Sequence, residues 1–287
     1  MTRGWQITVL ALVSVSALGA FAWPLVADVE SAQALAPVTA MTMLPVLLLV
    51  AALALDRSIA NGTTVALLGV LAAVATVLRA LGTGFGGFEL VFTVVILSAS
   101  VLGARFGFLL GLMTMVVSSL LWGGIGPWTA FQAFALAWVG AGAGLVGRWS
   151  NTMAPLTRRR WIRLAVLATY GVLSSFAFGA LMNLWFWPIA VGSGTDISYV
   201  AGDPIAENLR RFVGYSLVTS TLTWDTVRAA TTVVGIALAG DVVLRALTRA
   251  VTPRSTLPRG DGTQTRRSTV LDEVAVPPIA RRPRVRA

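Results

Sequence analysis

The sequence contains no cysteine, no histidine and no lysine. Without cysteine there is no disulfide, no iron–sulfur cluster and no thiolate zinc site, and the redox compartment cannot be read. Without histidine the commonest general base and metal ligand is missing. That excludes Ser-His-Asp triads, HExxH zinc proteases and Ser/His membrane proteases together. Without lysine there is neither Schiff-base chemistry nor a Walker A lysine, and all 22 basic residues are arginine. Charge is scarce too: 12% of 287 residues are charged, about half the share of a soluble domain.

What is abundant is apolar. Hydrophobic residues make up 56% of the chain and gather into blocks at 5–27, 37–55, 62–81, 88–103, 105–122, 128–147, 162–188 and 213–249. A membrane-spanning helix needs about 20 apolar residues, so the length allows seven or eight spans and no separate soluble catalytic domain. An open strand edge cannot sit in lipid. The expected fold is therefore an all-α integral membrane protein of about eight transmembrane helices. The first pair of helices falls within 1–61 and six more within 62–250, followed by a basic tail (251–287).

Charge distribution supplies an orientation. With the N-terminus inside, cytoplasmic segments hold Arg3, Arg57, Arg105, Arg148, Arg158, Arg159, Arg160, Arg163 and the tail. The outer loops hold Asp28, Glu30, Glu89, Asp196, Asp203 and Glu207 against Arg210 and Arg211. This is the positive-inside pattern, and it places both termini on the cytoplasmic side. The formal charge of +10 thus points to a membrane surface and not to nucleic acid. A second reading of block 5–27 is a signal peptide cleaved after Ala22.

The tail carries eight arginines against three acids and no apolar periodicity. It reads as a disordered segment drawn to anionic headgroups, with partner docking as the alternative. In the 188–208 connection, Asp203-Pro204 looks like an N-cap followed by proline at the first helical position. Ile205, Leu209, Phe212, Val213 and Leu217 follow at helical spacing, and Glu207 and Arg211 form an i,i+4 pair. An amphipathic helix lying on the outer face is expected there, whether as a lid or as an ordinary interfacial helix.

Charges at membrane depth are costly and mark functional candidates. Arg79 and Glu89 flank a glycine-rich loop (82–87) whose backbone can approach a ligand closely; they would equally serve as an interfacial ion pair over a flexible turn. In Trp224-Asp225-Thr226-Val227-Arg228 the Asp and Arg share a helical face. They suit either structural pairing or capture of a polar ligand beside an aromatic. Asp241 lies farther along the same block. Asn183 and Gln132 are polar groups within apolar runs, open to helix–helix bonding or ligand contact. Trp23, Trp122, Trp128, Trp185, Trp187 and Trp224 map near the outer face, against Trp5, Trp149 and Trp161 inside. Interfacial belts explain tryptophans at both faces, but the asymmetry favours an aromatic pocket outside. Gly103, Gly107 and Gly111, Ala133, Ala137 and Ala141, and the step Gly69/Ala73 form small-residue stripes. These fit close packing within the bundle or against another subunit.

Several stretches taken together carry a resemblance. They are Gly126-Pro127-Trp128-Thr129-Ala130-Phe131-Gln132, Leu181-Met182-Asn183-Leu184-Trp185-Phe186-Trp187-Pro188 and Trp224-Asp225-Thr226-Val227-Arg228-Ala229. Phe88-Glu89-Leu90-Val91-Phe92 and Gly103-Ala104-Arg105-Phe106-Gly107 complete the set. Over 62–250 the chain resembles the substrate-binding S components of energy-coupling factor (ECF) vitamin transporters, the cobalamin-type branch most of all. The resemblance implies a non-enzymatic subunit that binds a vitamin at the outer face. It then docks on a transmembrane scaffold subunit driven by two cytoplasmic ATPases. Carried over, the pocket draws on Arg79, Glu89, Trp128, Gln132, Asn183, Trp185, Trp224, Asp225 and Arg228. The docking surface draws on Gly69, Ala73, Gly103, Gly107 and Gly111. The family's AxxxA docking step is here Gly69-xxx-Ala73, and the first two helices are extra. The resemblance implies no catalytic residue, cofactor or metal. Aromatic surface suits a corrinoid, yet flavin, thiamin or a queuosine precursor would use it too. The runner-up is a proton-coupled secondary transporter with Glu89 or Asp225 as carrier, although no inverted repeat is visible. A lipid-modifying enzyme lacks any paired-aspartate motif such as DxxxD.

Overall fold

The computed structural model describes residues 3–25, 62–82, 86–153 and 159–252, with isolated positions between 38 and 50. Everything below belongs to the compact unit Met1–Val251. The expected span at 37–55, the acidic residues Asp28 and Glu30, part of the glycine-rich loop (83–85) and the tail from 253 lie outside the described residues. The described elements are α1 (Arg3–Phe21), α2 (Gly62–Gly82), α3 (Val91–Leu102), α4 (Ala104–Ser118), α5 (Pro127–Met153) and α6 (Arg159–Ala190), then α7 (Ile205–Ser216) and α8 (Thr226–Val251). A short 3-10 turn (Trp23–Leu25) follows α1, and π-helical segments follow α4 (Ser119–Gly123) and join α7 to α8 (Leu217–Asp225). No strand occurs among the described residues.

Among the described residues five helices are long and apolar enough to cross a membrane: Gly62–Gly82, Ala104–Trp122, Trp128–Thr152, Arg160–Ala190 and Ile205–Val251. The chain is a helical membrane protein. Two expectations are corrected. The block at 88–103 forms only the 12-residue α3, about 18 Å long at 1.5 Å per residue, which is short of the ~30 Å hydrocarbon core. Phe88 and Glu89 remain outside the helix, and Gly103 ends it at φ 94°. That left-handed value favours glycine and lets α4 begin one residue later. With nine of its twelve residues buried, α3 is the centre of the bundle, packed by α2, α4, α5, α6 and α8.

The second correction concerns the amphipathic helix. It is continuous with the last span through the π segment, 47 residues in all, or roughly 70 Å. It stands against the end of α6 and the loop that follows. Trp187, fully buried, meets Tyr199, Phe212 and Tyr215 and donates its indole N–H to the Ile197 carbonyl at 2.8 Å. Asn208 bonds both the N–H and the carbonyl of Val200, at 3.2 and 2.8 Å. Asp203 makes no cap: Pro204 precedes the helix without a side-chain cap bond, and the Asp203 carboxylate accepts from Arg211 Nη1 at 2.6 Å. The Glu207–Arg211 pair is present at 3.6 Å, with Arg210 closer to Glu207 at 2.6 Å.

Close helix contact, rather than side-chain bulk, organises the middle of the bundle. A Cβ at Gly107 would meet the Gly140 carbonyl, one at Gly111 would meet Leu136 backbone, and one at Gly144 would meet Ala104 backbone. These three glycines form one seam where α4 and α5 touch through their main chains. Of the two readings of this stripe, packing within the bundle is the one Gly107 and Gly111 follow, not the docking role the resemblance carried over. Gly103 makes the α3–α4 turn, and the other two pack on the chain's own α5. Gly69 and Ala73 lie on the exposed face of α2. Helix α1 is anchored on α5 by Phe21, whose ring meets Phe131 edge-on at 4.9 Å, and by the Trp138 indole donating to Ser14 Oγ at 3.1 Å.

Candidate functional site

The helices converge at one end of the bundle around a cavity of about 430 Å³. Its wall includes all nine side chains singled out in the sequence: Arg79, Glu89, Trp128, Gln132, Asn183, Trp185, Trp224, Asp225 and Arg228. They come from six elements spread over 150 positions of chain, so their meeting is a property of the fold and not of sequence proximity.

Arg228 is the hub. Its side chain is buried, and it donates through Nε to Glu89 Oε2 at 2.6 Å and through Nη1 to Asp225 Oδ1 at 2.7 Å. A third bond from Nη1 reaches the Ser175 carbonyl at 3.3 Å. Its guanidinium also lies against two rings, 5.5 Å from the Phe92 centroid and 5.0 Å from that of Phe178. Charge-assisted bonds are shorter and about twice as strong as neutral ones, and ring faces add to them when the cation is desolvated. The arginine is thereby held in one rotamer. Asp225, buried to 1%, can approach α6 because residue 179 is glycine: a Cβ there would strike the carboxylate.

From Asp225 the polar chain runs on. Ser220 Oγ donates to Asp225 Oδ2 at 3.0 Å, and Asn183 Nδ2 donates to Ser220 Oγ at 2.7 Å and to Ser216 Oγ at 3.2 Å. Asn183 on α6, the π segment and α8 are thus tied into one network with Glu89 ahead of α3. Across the cavity Arg79 donates to Ser118 Oγ at 3.2 Å and to Gln132 Oε1 at 3.1 Å, joining α2, α4 and α5. Arg79 and Glu89 do not form the direct ion pair considered from the sequence; Glu89 turns to Arg228 instead. Two guanidiniums face two carboxylates, so the wall is formally neutral yet strongly polar.

The apolar wall is aromatic. Trp185 is buried and stacks on Phe131 at 4.4 Å and 5°. Trp128 and Trp224 are about half exposed, at 43% and 45%, leaving ring surface for a visitor at the mouth. Gly87, at φ 92°, brings its backbone against that of Trp224, so the glycine-rich loop does approach the site closely. Trp187, expected in the same aromatic group, belongs instead to a separate cluster beside α7. Phe92, Phe178, Gly179 and Ser220 are site residues the sequence reading did not select. Phe92 was legible as the end of the quoted Phe88–Phe92 stretch, whereas nothing in an apolar run distinguishes Phe178.

Depth can be counted from two independent helices. About 20 residues cross the hydrocarbon core. From Arg163 on α6 that count reaches Asn183, and back from Arg249 on α8 it reaches Ala229. Both land at the cavity, so about one membrane thickness of helix separates it from these arginines. Asp241 lies at the other end, shared by Arg160 at 2.9 Å and Arg245 at 2.5 Å. Among the described residues, no group of three or more Asp, Glu, His or Cys comes together that could hold a metal ion.

Comparison of the chain with protein-family models, with curated proteins and with solved structures finds no match.

Proposed function

We propose that the chain is the substrate-capture subunit of an ATP-driven importer of the ECF type, taking a vitamin or related micronutrient from the outer side of a bacterial plasma membrane. The observation that carries this reading is the cavity: aromatic walls and a fixed, formally neutral set of charges, open at the end of a bundle of spanning helices. Such a site binds by stacking and a few placed hydrogen bonds. It offers orientation rather than a reaction, which is what a capture subunit requires. A volume of about 430 Å³ lies in the ordinary small-molecule range of about 300–1,000 Å³. It favours a compact ring such as a thiamin- or flavin-like molecule. A corrinoid, several times heavier than thiamin, would need the Trp128–Trp224 mouth to open. Energy would come from separate ATPase chains through a transmembrane scaffold subunit, because this chain has no lysine with which to build a Walker A site.

Mass spectrometry of the detergent-purified chain should reveal a co-purified small ring compound. Uptake of that compound by cells should then require the scaffold and ATPases as well as this chain. Uptake sustained by this chain alone would overturn the proposal and favour coupling to protons through Glu89 or Asp225.

The orientation belongs to the same proposal. Among the described residues the cavity end carries the acids Glu89, Asp196, Asp203, Glu207 and Asp225 against Arg79, Arg210, Arg211 and Arg228, while the opposite end carries Asp241 alone against Arg105, Arg148, Arg160, Arg163, Arg245 and Arg249. Arginine excess marks the cytoplasmic side, so the cavity faces outward. Reporter fusions after Ser193 and after Ala287 should read outside and inside respectively. The reverse pair would place the site in the cytoplasm and end its role in capture.

A further inference from the structure

At the end of the bundle away from the candidate site, α6 and α8 enclose a second cavity of about 710 Å³. Among the described residues its lining holds four guanidiniums, Arg160, Arg163, Arg245 and Arg249, and one carboxylate, that of Asp241. Asp241 is bound by Arg160 and Arg245 together, so its one negative charge is divided between two of the four cations. Asn151 and Thr248 place neutral polar groups on the same wall.

The depth of the cavity is set by aromatics. Trp149 and Trp161 are 54% and 69% exposed at this end, and Arg160 lies 5.0 Å from the Trp161 ring centroid. Exposed tryptophans on a spanning bundle sit at headgroup level. A guanidinium fork matches the oxygens of a phosphoryl group, and basic pockets between helices on the cytoplasmic side are suited to phospholipid headgroups. We propose that this cavity is a phosphoryl-anion site filled by the headgroup of an anionic phospholipid from the adjoining leaflet. The assignment is independent of the cargo proposed for the other cavity.

The test uses the full chain, delipidated in a neutral detergent, with native mass spectrometry reading retained adducts. Phosphatidylglycerol, phosphatidylcholine and inorganic phosphate are added separately. Phosphatidylglycerol should be retained at least about tenfold better than phosphatidylcholine. Arg163→Gln with Arg249→Gln should lower its retention by about tenfold or more, two cations near a membrane being worth about that much. Asp241→Asn should raise retention, a change that loss of folding cannot produce. Arg210→Gln with Arg211→Gln, the same loss of two charges at the other end, should do nothing. Equal retention of the two lipids, or an equal effect from the Arg210/Arg211 double replacement, would overturn the site. Inorganic phosphate displacing phosphatidylglycerol at matched concentration would overturn the lipid as its occupant.

Discussion

Arg228→Ala is expected to lower the stability of the solubilised protein by about 3–5 kcal/mol, the usual cost of removing one partner from a buried ion pair. The reason lies in what remains. Asp225 would keep a carboxylate buried to 1%, with Ser220 as its remaining donor among the bonds described, and Glu89 would lose a 2.6 Å contact. Phe92 and Phe178 would also lose the cation beside them. The double replacement Arg228→Ala with Asp225→Ala should be milder than the sum of the singles by about 0.5–3 kcal/mol, since neither charge is then stranded. Thermal melting of the four proteins measures this directly, and strict additivity would show that the pair is not coupled. Ligand affinity, read on the same preparations, separates architecture from recognition. A lost hydrogen bond to a bound ligand costs on the order of 1–3 kcal/mol, about 5- to 150-fold in Kd. Trp224→Ala, half exposed at the mouth and outside the ion network, should lose affinity with little change in melting.

The gathering of Asp225, Arg228, Glu89 and Asn183 was foreseeable because charged and amide groups in apolar blocks have few places to go. Each must find a partner or water, and a bundle offers both chiefly at its ends. What could not be read was who pairs with whom. Arg79 and Glu89 flank one short loop, yet Glu89 bonds an arginine 139 positions away, while Arg79 bonds Gln132 and Ser118. Sequence proximity is a poor guide where six elements share a cavity. Helix lengths were misjudged for a related reason. Apolar runs say what a segment tolerates, and α3 is apolar because protein surrounds it, not because it crosses lipid. The continuity of 205–251 was partly legible, since the amphipathic stretch 205–217 overlaps the apolar block 213–249; the π segment that preserves helical bonding through Leu217–Asp225 was not.

Gly140→Leu should abolish recovery of folded, monodisperse protein, whereas the same substitution at Gly69 should leave folding intact. At position 140 even a Cβ would collide with the Gly107 carbonyl, and the obstacle is backbone on the facing helix. A side chain there cannot be relieved by a rotamer change; α4 and α5 must separate. Overpacking a core that can adjust costs about 1–3 kcal/mol. Here separation would also undo the neighbouring contacts of Gly111 with Leu136 and Gly144 with Ala104, so the loss should exceed that range. At position 69 no atom lies within 4 Å of the added Cβ, and a leucine would meet lipid or a partner chain. Size-exclusion profiles and melting curves of the two variants test the contrast. If Gly140→Leu elutes and melts as the parent does, the backbone seam is not what holds α4 to α5. If Gly69→Leu folds but no longer assembles with the proposed scaffold subunit, the exposed face of α2 is the docking surface. Normal assembly would move that surface elsewhere on the bundle, away from Gly69 and Ala73.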